Sequence, residues 1–248
     1  MSMRFLVFSD IHGNIEALEA LLKFISRKKI DHYLFLGDLV GYGASPDETI
    51  ERVRRLEPLS IIRGNHDKAV CGLDAIETFN PMAALAIAWC RKTLSREHNR
   101  YLCGLPRGPL VVDEALTLCH GAPFDEDFYI FGEFDAAEAF QYLETRIGFF
   151  GHTHFPCLYA KTEQAMRGRM IEDDHCTVRL KKNAQYLINP GSVGQPRDRN
   201  PKAACAIFDS EESAVHFHRI EYDIDAAQQK ILTQNLPPAL AERLAMGI

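Results

Sequence analysis

The chain alternates short apolar runs with longer stretches in which apolar side chains recur every three or four residues. Arg4 to Ser9 has the Phe/Leu/Val-rich pattern of a buried strand and breaks at Asp10-Ile11-His12-Gly13-Asn14. Beyond the break, Ile15, Leu18, Leu21, Leu22 and Ile25 follow helical spacing while Glu16, Glu19, Lys23 and Arg27 fall on other faces, which predicts an amphipathic helix. Tyr33 to Leu36 predicts a second strand, ending at Gly37-Asp38. The following helix has a start signal: Ser45 as N-cap, Pro46 in the first helical position, and Glu48 completing a capping box. A third strand, Leu59 to Ile62, runs into Arg63-Gly64-Asn65-His66-Asp67. Strand–helix–strand–helix–strand, with a polar loop after every strand, predicts a parallel sheet of βαβ units. In such sheets functional residues gather beyond the carboxyl ends of the strands.

Residues 72 to 103 read as mostly helical, with one helix starting at Asn80-Pro81 and carrying Trp89 as a packing residue. Ala115 to Cys119 predicts a strand ending at His120-Gly121. Asp135 to Glu144 predicts a helix, and Ile147 to Phe150 a strand ending at Gly151-His152-Thr153-His154. The final third changes character. Leu158–Lys161, Cys176–Leu180, Gln185–Ile188, Ala203–Phe208 and Ala214–Glu221 are closely spaced strand candidates that favour antiparallel or mixed pairing. Short helices near Ile224–Thr233 and Pro238–Ala245 follow. With no repeat or linker in the sequence, the expectation is one domain over 1–248, with a mainly helical, cap-like segment at about 72–113.

Composition narrows the function classes. The 248 residues are 46% hydrophobic and 25% charged, values of a globular chain that exclude disorder. A net charge of −6 argues against broad nucleic-acid binding, although a metal cluster can reverse the field in one cleft and draw in a small anion. The longest apolar stretch, Met82 to Cys90, falls short of the roughly 18 residues of a membrane span, and the first residues lack the apolar core of a signal peptide. Seven widely spaced cysteines with no C-x-x-C pair predict buried free thiols, no disulfide scaffold and a cytoplasmic setting without membrane attachment.

The loops after successive strands supply Asp10 and His12, Asp38, Asn65 and His66, His120, then His152 and His154, so that five of the ten histidines stand at these positions. Imidazole and carboxylate gathered this way bind transition metals. Asp10 or Asp38 alone would read as a helix cap, and Asn14 is explained fully as the N-cap of the first helix. Together, Asp10, His12, Asp38, Asn65, His120, His152 and His154 are too many ligands for one tetrahedral zinc and suit two metals with positions open to water and substrate. Mixed imidazole and carboxylate ligation favours two divalent transition ions, Mn first, with Fe, Zn, Co or Ni as alternatives to a pure Mg site. His216-Phe217-His218 reads instead as one polar face of a strand, and His32, His98 and His175 as ordinary surface or core residues.

The series SDIHGN, LGDLVGYG, RGNHD, CHGAP, GHTH and NPGSVGQPR resembles the calcineurin-like metallophosphoesterases, in the small bacterial phosphodiesterase and phosphatase branch. The resemblance implies an α/β fold of two packed mixed β-sheets flanked by helices, a four-layer α/β/β/α sandwich. It also implies that Asp10, His12 and His154 hold one metal, that Asn65, His120 and His152 hold the other, and that Asp38 bridges them. A bridging hydroxide would attack a phosphomonoester or phosphodiester, and His66 would be the catalytic residue that faces the substrate, as a charge stabiliser or general acid. Asn14, Arg63 and Arg197 are candidate substrate contacts, the arginines as bidentate phosphate donors. The expected partner is a small phosphate ester, a nucleotide among the candidates, with homo-oligomerisation left open. One departure matters: protein-phosphatase members carry G-D-x-x-D-R-G, but here Leu39-Val40-Gly41-Tyr42-Gly43 follows Asp38, so the Asp that orients the histidine and the phosphate-binding Arg are both missing. Which residue orients His66 is left open. The alternative reading is a non-catalytic scaffold on the same fold, as in the retromer subunit that resembles this family, but such a scaffold is expected to lose ligands, and none is lost here.

Overall fold

The computed structural model describes residues 2–248. In chain order its elements are β1 (Arg4–Phe8), α1 (Ile15–Ile25), β2 (His32–Phe35), α2 (Pro46–Arg54), β3 (Leu59–Ile61), α3 (Asn65–Val70), α4 (Pro81–Thr93), α5 (Arg96–Cys103), β4 (Leu110–Val112) and β5 (Leu116–Leu118). Then come α6 (Glu133–Ala139), β6 (Ile147–Phe149), β7 (Cys157–Lys161), β8 (Met166–Met170), β9 (His175–Arg179), β10 (Gln185–Asn189), β11 (Ala203–Asp209), β12 (Ala214–Ile220), α7 (Ile224–Thr233) and α8 (Pro238–Met246). Two six-stranded mixed sheets result, ordered β3-β2-β1-β11-β12-β9 and β4-β5-β6-β10-β7-β8. β1, β2 and β3 are parallel, as the βαβ pattern requires, and so are β5, β6 and β10; the remaining pairings are antiparallel.

Side-chain alternation along the strands makes the layers. Phe5 and Val7 point between the sheets, where they meet Leu34, Phe149, Ile188 and Phe208. Leu6 and Phe8 point the other way, onto a core with Leu18, Leu21, Ile50 and Ile87 from the helices. On the far face of the second sheet Phe150 and Leu187 pack with Ala136 and Phe140 of α6. α7 and α8 close over the loop after β2, burying Tyr42 among Ala227, Ile231, Leu240 and Leu244. Among the described residues no helix is long and apolar enough to cross a membrane.

Several expectations need correction. Ser45 stands at the N-cap of α2 but makes no side-chain cap bond; its hydroxyl instead accepts from Lys230 Nζ of α7 (3.4 Å). The Asn65–Val70 stretch, which reads as loop, is a short helix because Asp67 accepts from the Gly64 N–H (3.0 Å) and closes its first turn. The helix expected to run to Glu144 stops at Ala139. β8 escapes the pattern because it is an edge strand, Met-Arg-Gly-Arg-Met, exposed along most of its length, and charged side chains are how edges avoid pairing with other chains. Cys71 and Cys103 form a disulfide (Cα–Cα 5.4 Å) joining the end of α3 to the end of α5. Their separation of 32 residues hides the contact from a reading based on spacing. Cys90, Cys119, Cys157 and Cys205 are buried free thiols, as expected.

Candidate metal centre

Each strand that points toward the site ends in a sharp loop. Asp10, His12, Asp38, His152 and His154 all have positive φ, between 51° and 66°, a left-handed backbone that L-residues adopt at a cost of about 1–2 kcal/mol each. Their strain is held by neighbouring backbone: the Asp10 N–H donates to Gly37 O (3.0 Å), His12 N–H to Asp38 O (3.0 Å) and Gly151 N–H to His120 O (2.8 Å). Gly64 lets the Asp38 carboxylate approach closely, since a Cβ there would fall 2.1 Å from Asp38 Oδ1.

The loops bring three overlapping donor sets together: Asp10, His12 and His154; His12, Asp38 and His66; and Asp38, His120 and His152, with the donor atoms of each set within 4.8 Å of one another. His12 Nε2 and His154 Nε2 lie 3.2 Å apart, and His120 Nε2 is 3.2 Å from Asn65 Oδ1. Asp38 stands between the halves, its Oδ2 at 3.5 Å from both His12 Nε2 and His120 Nε2. The imidazoles are aimed from behind. Nδ1–H of His12, His120 and His154 donates to the carbonyls of Val40 (3.1 Å), Leu36 (2.9 Å) and Gln195 (2.5 Å), which aims each Nε2 inward. His152 is turned round, with Nε2–H donating to Asp127 O (3.1 Å) and Nδ1 facing in.

This donor set fits divalent cations. Asp10 Oδ1 is buried without a hydrogen-bond partner among the described residues, and a buried bare carboxylate oxygen is costly unless a cation meets it. Two carboxylates in one buried pocket call for positive charge. Burial pushes His120 down, but Asp38, with Asp10 behind it, holds it up at about 10. His12 and His152 are pushed well below the usual histidine range by burial, and so are neutral donors that could meet a cation.

His66 sits at the edge of the cluster, 3% exposed. Burial pushes it down to about 4; the Arg197 charge works in the same direction and Asp38 opposes. Its Nδ1 has no partner among the described residues, so no carboxylate orients it. Packing does. The ring lies 4.5 Å from that of Tyr42, 4.8 Å from His12 and 5.2 Å from Phe79. Gly41 (φ +91°) leaves the space the ring fills, because a Cβ there would be 2.4 Å from His66 Nδ1. Asp67, adjacent in sequence, points elsewhere: it accepts from the Asp38 N–H (2.8 Å), Val40 N–H (3.2 Å) and Gly64 N–H (3.0 Å), and so fixes the loop that carries Asp38.

The candidate substrate contacts divide. Asn14 uses both ends of its amide internally, Oδ1 accepting from Ala17 N–H (3.0 Å) and Nδ2 donating to Gly194 O (2.9 Å). Arg63 is committed to Glu126 through two bonds (3.0 and 3.2 Å). Arg197 reaches the site: its guanidinium is 5.9 Å from the Tyr42 ring centre and its charge pushes His154 and His66 down. The Asn189–Gln195 segment is a buttress that sequence reading undervalues. Asn189 Nδ2 donates to Gly151 O (2.8 Å) and Ser192 Oγ to Asp10 O (2.8 Å), so this segment ties two ligand-bearing loops together. His216 and His218 lie apart from the cluster, on β12, where Thr177 Oγ1 and His216 Nδ1 are hydrogen-bonded (3.0 Å) and His175 Nδ1 and His218 Nδ1 lie 3.2 Å apart.

Fold and site together define a metallophosphoesterase architecture. The model of the calcineurin-like phosphoesterase superfamily domain matches residues 3–213, and the chain belongs to that superfamily. It is similar along its whole length to a metallophosphoesterase from Sphaerobacter thermophilus, with 38% identity, a TM-score of 0.86 and 100% of each chain covered. An uncharacterized protein of Methanocaldococcus jannaschii is 38% identical over 248 residues, 97% of each chain. A hypothetical protein of Pyrococcus horikoshii OT3 shares the fold at 24% identity, with a TM-score of 0.82 over 99% of each chain.

Proposed function

We propose that the protein is a dinuclear, metal-dependent phosphoesterase acting on small phosphodiesters and phosphomonoesters. The observation that carries this reading is the meeting of three buried donor sets on Asp10 and Asp38, with four histidines each anchored through its outer nitrogen on a backbone carbonyl. Asp10, His12 and His154 would hold one cation, Asn65, His120 and His152 a second, and Asp38 would join both. Two bound divalent ions, Mn first among the candidates, supply a water acidified to near-neutral pKa and a clamp for phosphoryl oxygens.

The chain's own residues do the rest. The buried strand-end loops hold the donors without reorganisation when substrate arrives. His66, held by Tyr42, Phe79 and the gap at Gly41, presents an imidazole edge beside the cluster, where one ring N–H donates to a phosphoryl or leaving-group oxygen. Arg197 lies on the same side and adds positive charge for the ester's anionic oxygens. With the family's D-R-G arginine absent from the loop after Asp38, no fixed bidentate clamp selects the dianion of a monoester.

Steady-state kinetics under Mn²⁺ test this reading. Bis-p-nitrophenyl phosphate is expected to be hydrolysed at least as well as p-nitrophenyl phosphate, and chelator should abolish both rates. Strong preference for the monoester would make Arg197 a monoester clamp, and no hydrolysis of either ester with Mn, Fe, Co, Ni or Zn would favour the scaffold reading.

A further inference from the structure

A cleft of about 400 Å³ adjoins the donor cluster, with Asn65, His66 and His152 among its lining residues. Two aromatic side chains stand against these histidines from separate parts of the chain. Phe79, just before α4, meets the His66 ring at 5.2 Å, and Tyr129, in the loop before α6, stacks on His152 at 3.7 Å and on Phe131 at 5.2 Å. Tyr42 adds a third ring, and the remaining lining is polar and uncationic: Asp74, Thr78, Asn80 and Asp127 contribute, and among the described residues no Lys or Arg does. Lys68 pairs with both Asp74 (3.3 Å) and Asp127, and is itself nearly buried. Asn80 spends its Oδ1 on the N-terminus of α4, accepting from Ala83 N–H (3.0 Å), so its NH₂ remains to donate.

A substituent on a phosphoryl group beside His66 therefore enters a slot with aromatic sides and carboxylate and amide groups at its edge. A second phosphate inside it would meet two carboxylates and no lysine or arginine in the lining. A flat heterocycle would find the Phe79 ring to stack on, carboxylates to accept its N–H groups and an amide to donate to its carbonyls. The volume suits one small ligand.

We propose that this cleft selects phosphodiesters in which one substituent is a nucleoside, its base stacked on Phe79 with Tyr129 beside it. The proposal rests on the phosphoesterase reading for the reacting end, and the test separates the two. Two diesters with one leaving group are compared under Mn²⁺: the p-nitrophenyl ester of thymidine 5′-monophosphate and methyl p-nitrophenyl phosphate. The thymidine ester is expected to have a kcat/KM about tenfold higher, the gain of stacking one base on an aromatic ring. In Phe79→Leu and Tyr129→Leu that ratio should fall to within about twofold. Harm to His66 or to the metal ligands cancels in the ratio, because both esters react at the same centre. Equal kcat/KM for the two esters in the unaltered protein, or a ratio unmoved in both variants, overturns the proposal. Saturation-transfer NMR with thymidine alone gives a readout independent of turnover: transfer to the base protons is expected, and to be lost in Phe79→Leu. Its absence in the unaltered protein overturns the nucleoside slot even where both esters are hydrolysed. Where neither ester is hydrolysed, the phosphoesterase reading fails and the thymidine experiment still decides the slot.

Discussion

Asp10, His12, Asp38, His152 and His154 form the floor of the donor site that the cleft adjoins: they are buried, strained, and anchored to the strand ends of both sheets. Asp74, Thr78, Phe79 and Asn80 form part of its rim; they are half-buried or exposed, and sit in a connection between α3 and α4. The floor takes its chemistry from residue types that hardly any other role explains in such numbers. The rim takes its chemistry from shape, since an Asp, a Phe and an Asn in a connecting loop acquire meaning only once His66 lies beside them. A family can therefore keep its floor and change its substrate by rebuilding the rim.

The largest effect is expected on the floor. Asp38→Asn removes charge from between the two halves of the site and should lower turnover by about 10³-fold or more, with metal content falling below that of the unaltered protein. Metal analysis and steady-state kinetics check this; two ions per chain with near-normal turnover would remove Asp38 from the bridge. His66 stands where floor meets rim. Because it is assigned to the substrate and not to the metals, His66→Gln should keep the metal content while turnover falls about 10²–10⁴-fold. Loss of metal in that variant would move His66 into the ligand shell.

The disulfide pins the helix that carries Asn65 and His66 to α5, so its loss sharpens the question of how much the floor depends on its surroundings. Closing a loop of 32 residues is worth about 4 kcal/mol in the chain-entropy account. Cys71→Ser with Cys103→Ser should lower unfolding free energy by about that amount in urea titration while KM changes little. A stability unchanged by the double substitution would mean the pair contributes nothing. Gly41→Ala gives the smallest change, but the most local one. The left-handed backbone costs about 1 kcal/mol for a residue with a Cβ, and the new methyl must displace the His66 ring. Turnover should fall about tenfold or more while metal content stays unchanged. Unaltered kcat would mean that His66 is not held by this gap.

Much of this was legible in the sequence, for reasons that can be stated. β1 and β2 follow from short continuous apolar runs and α1 from a period-3.6 pattern, and the donor-bearing loops follow from Asp and His placed directly after apolar strands. The position of Asp67 was legible, but its role was not, because a carboxylate next to a histidine looks like its orienting partner until the backbone shows it capping α3. His66 has no orienting carboxylate to find; it is held by space left at Gly41 and by rings from loops far apart in the chain. The Cys71–Cys103 pair and the edge strand β8 were hidden for the same reason: both depend on which elements come to lie side by side.

Whether the seven side chains at the strand ends hold two cations is read out by anomalous diffraction from crystals grown with Mn²⁺. The account predicts two anomalous peaks in the cluster, one among Asp10, His12 and His154 and the other among Asn65, His120 and His152, with Asp38 reaching both. A single peak, or peaks only at His216 and His218, would contradict it.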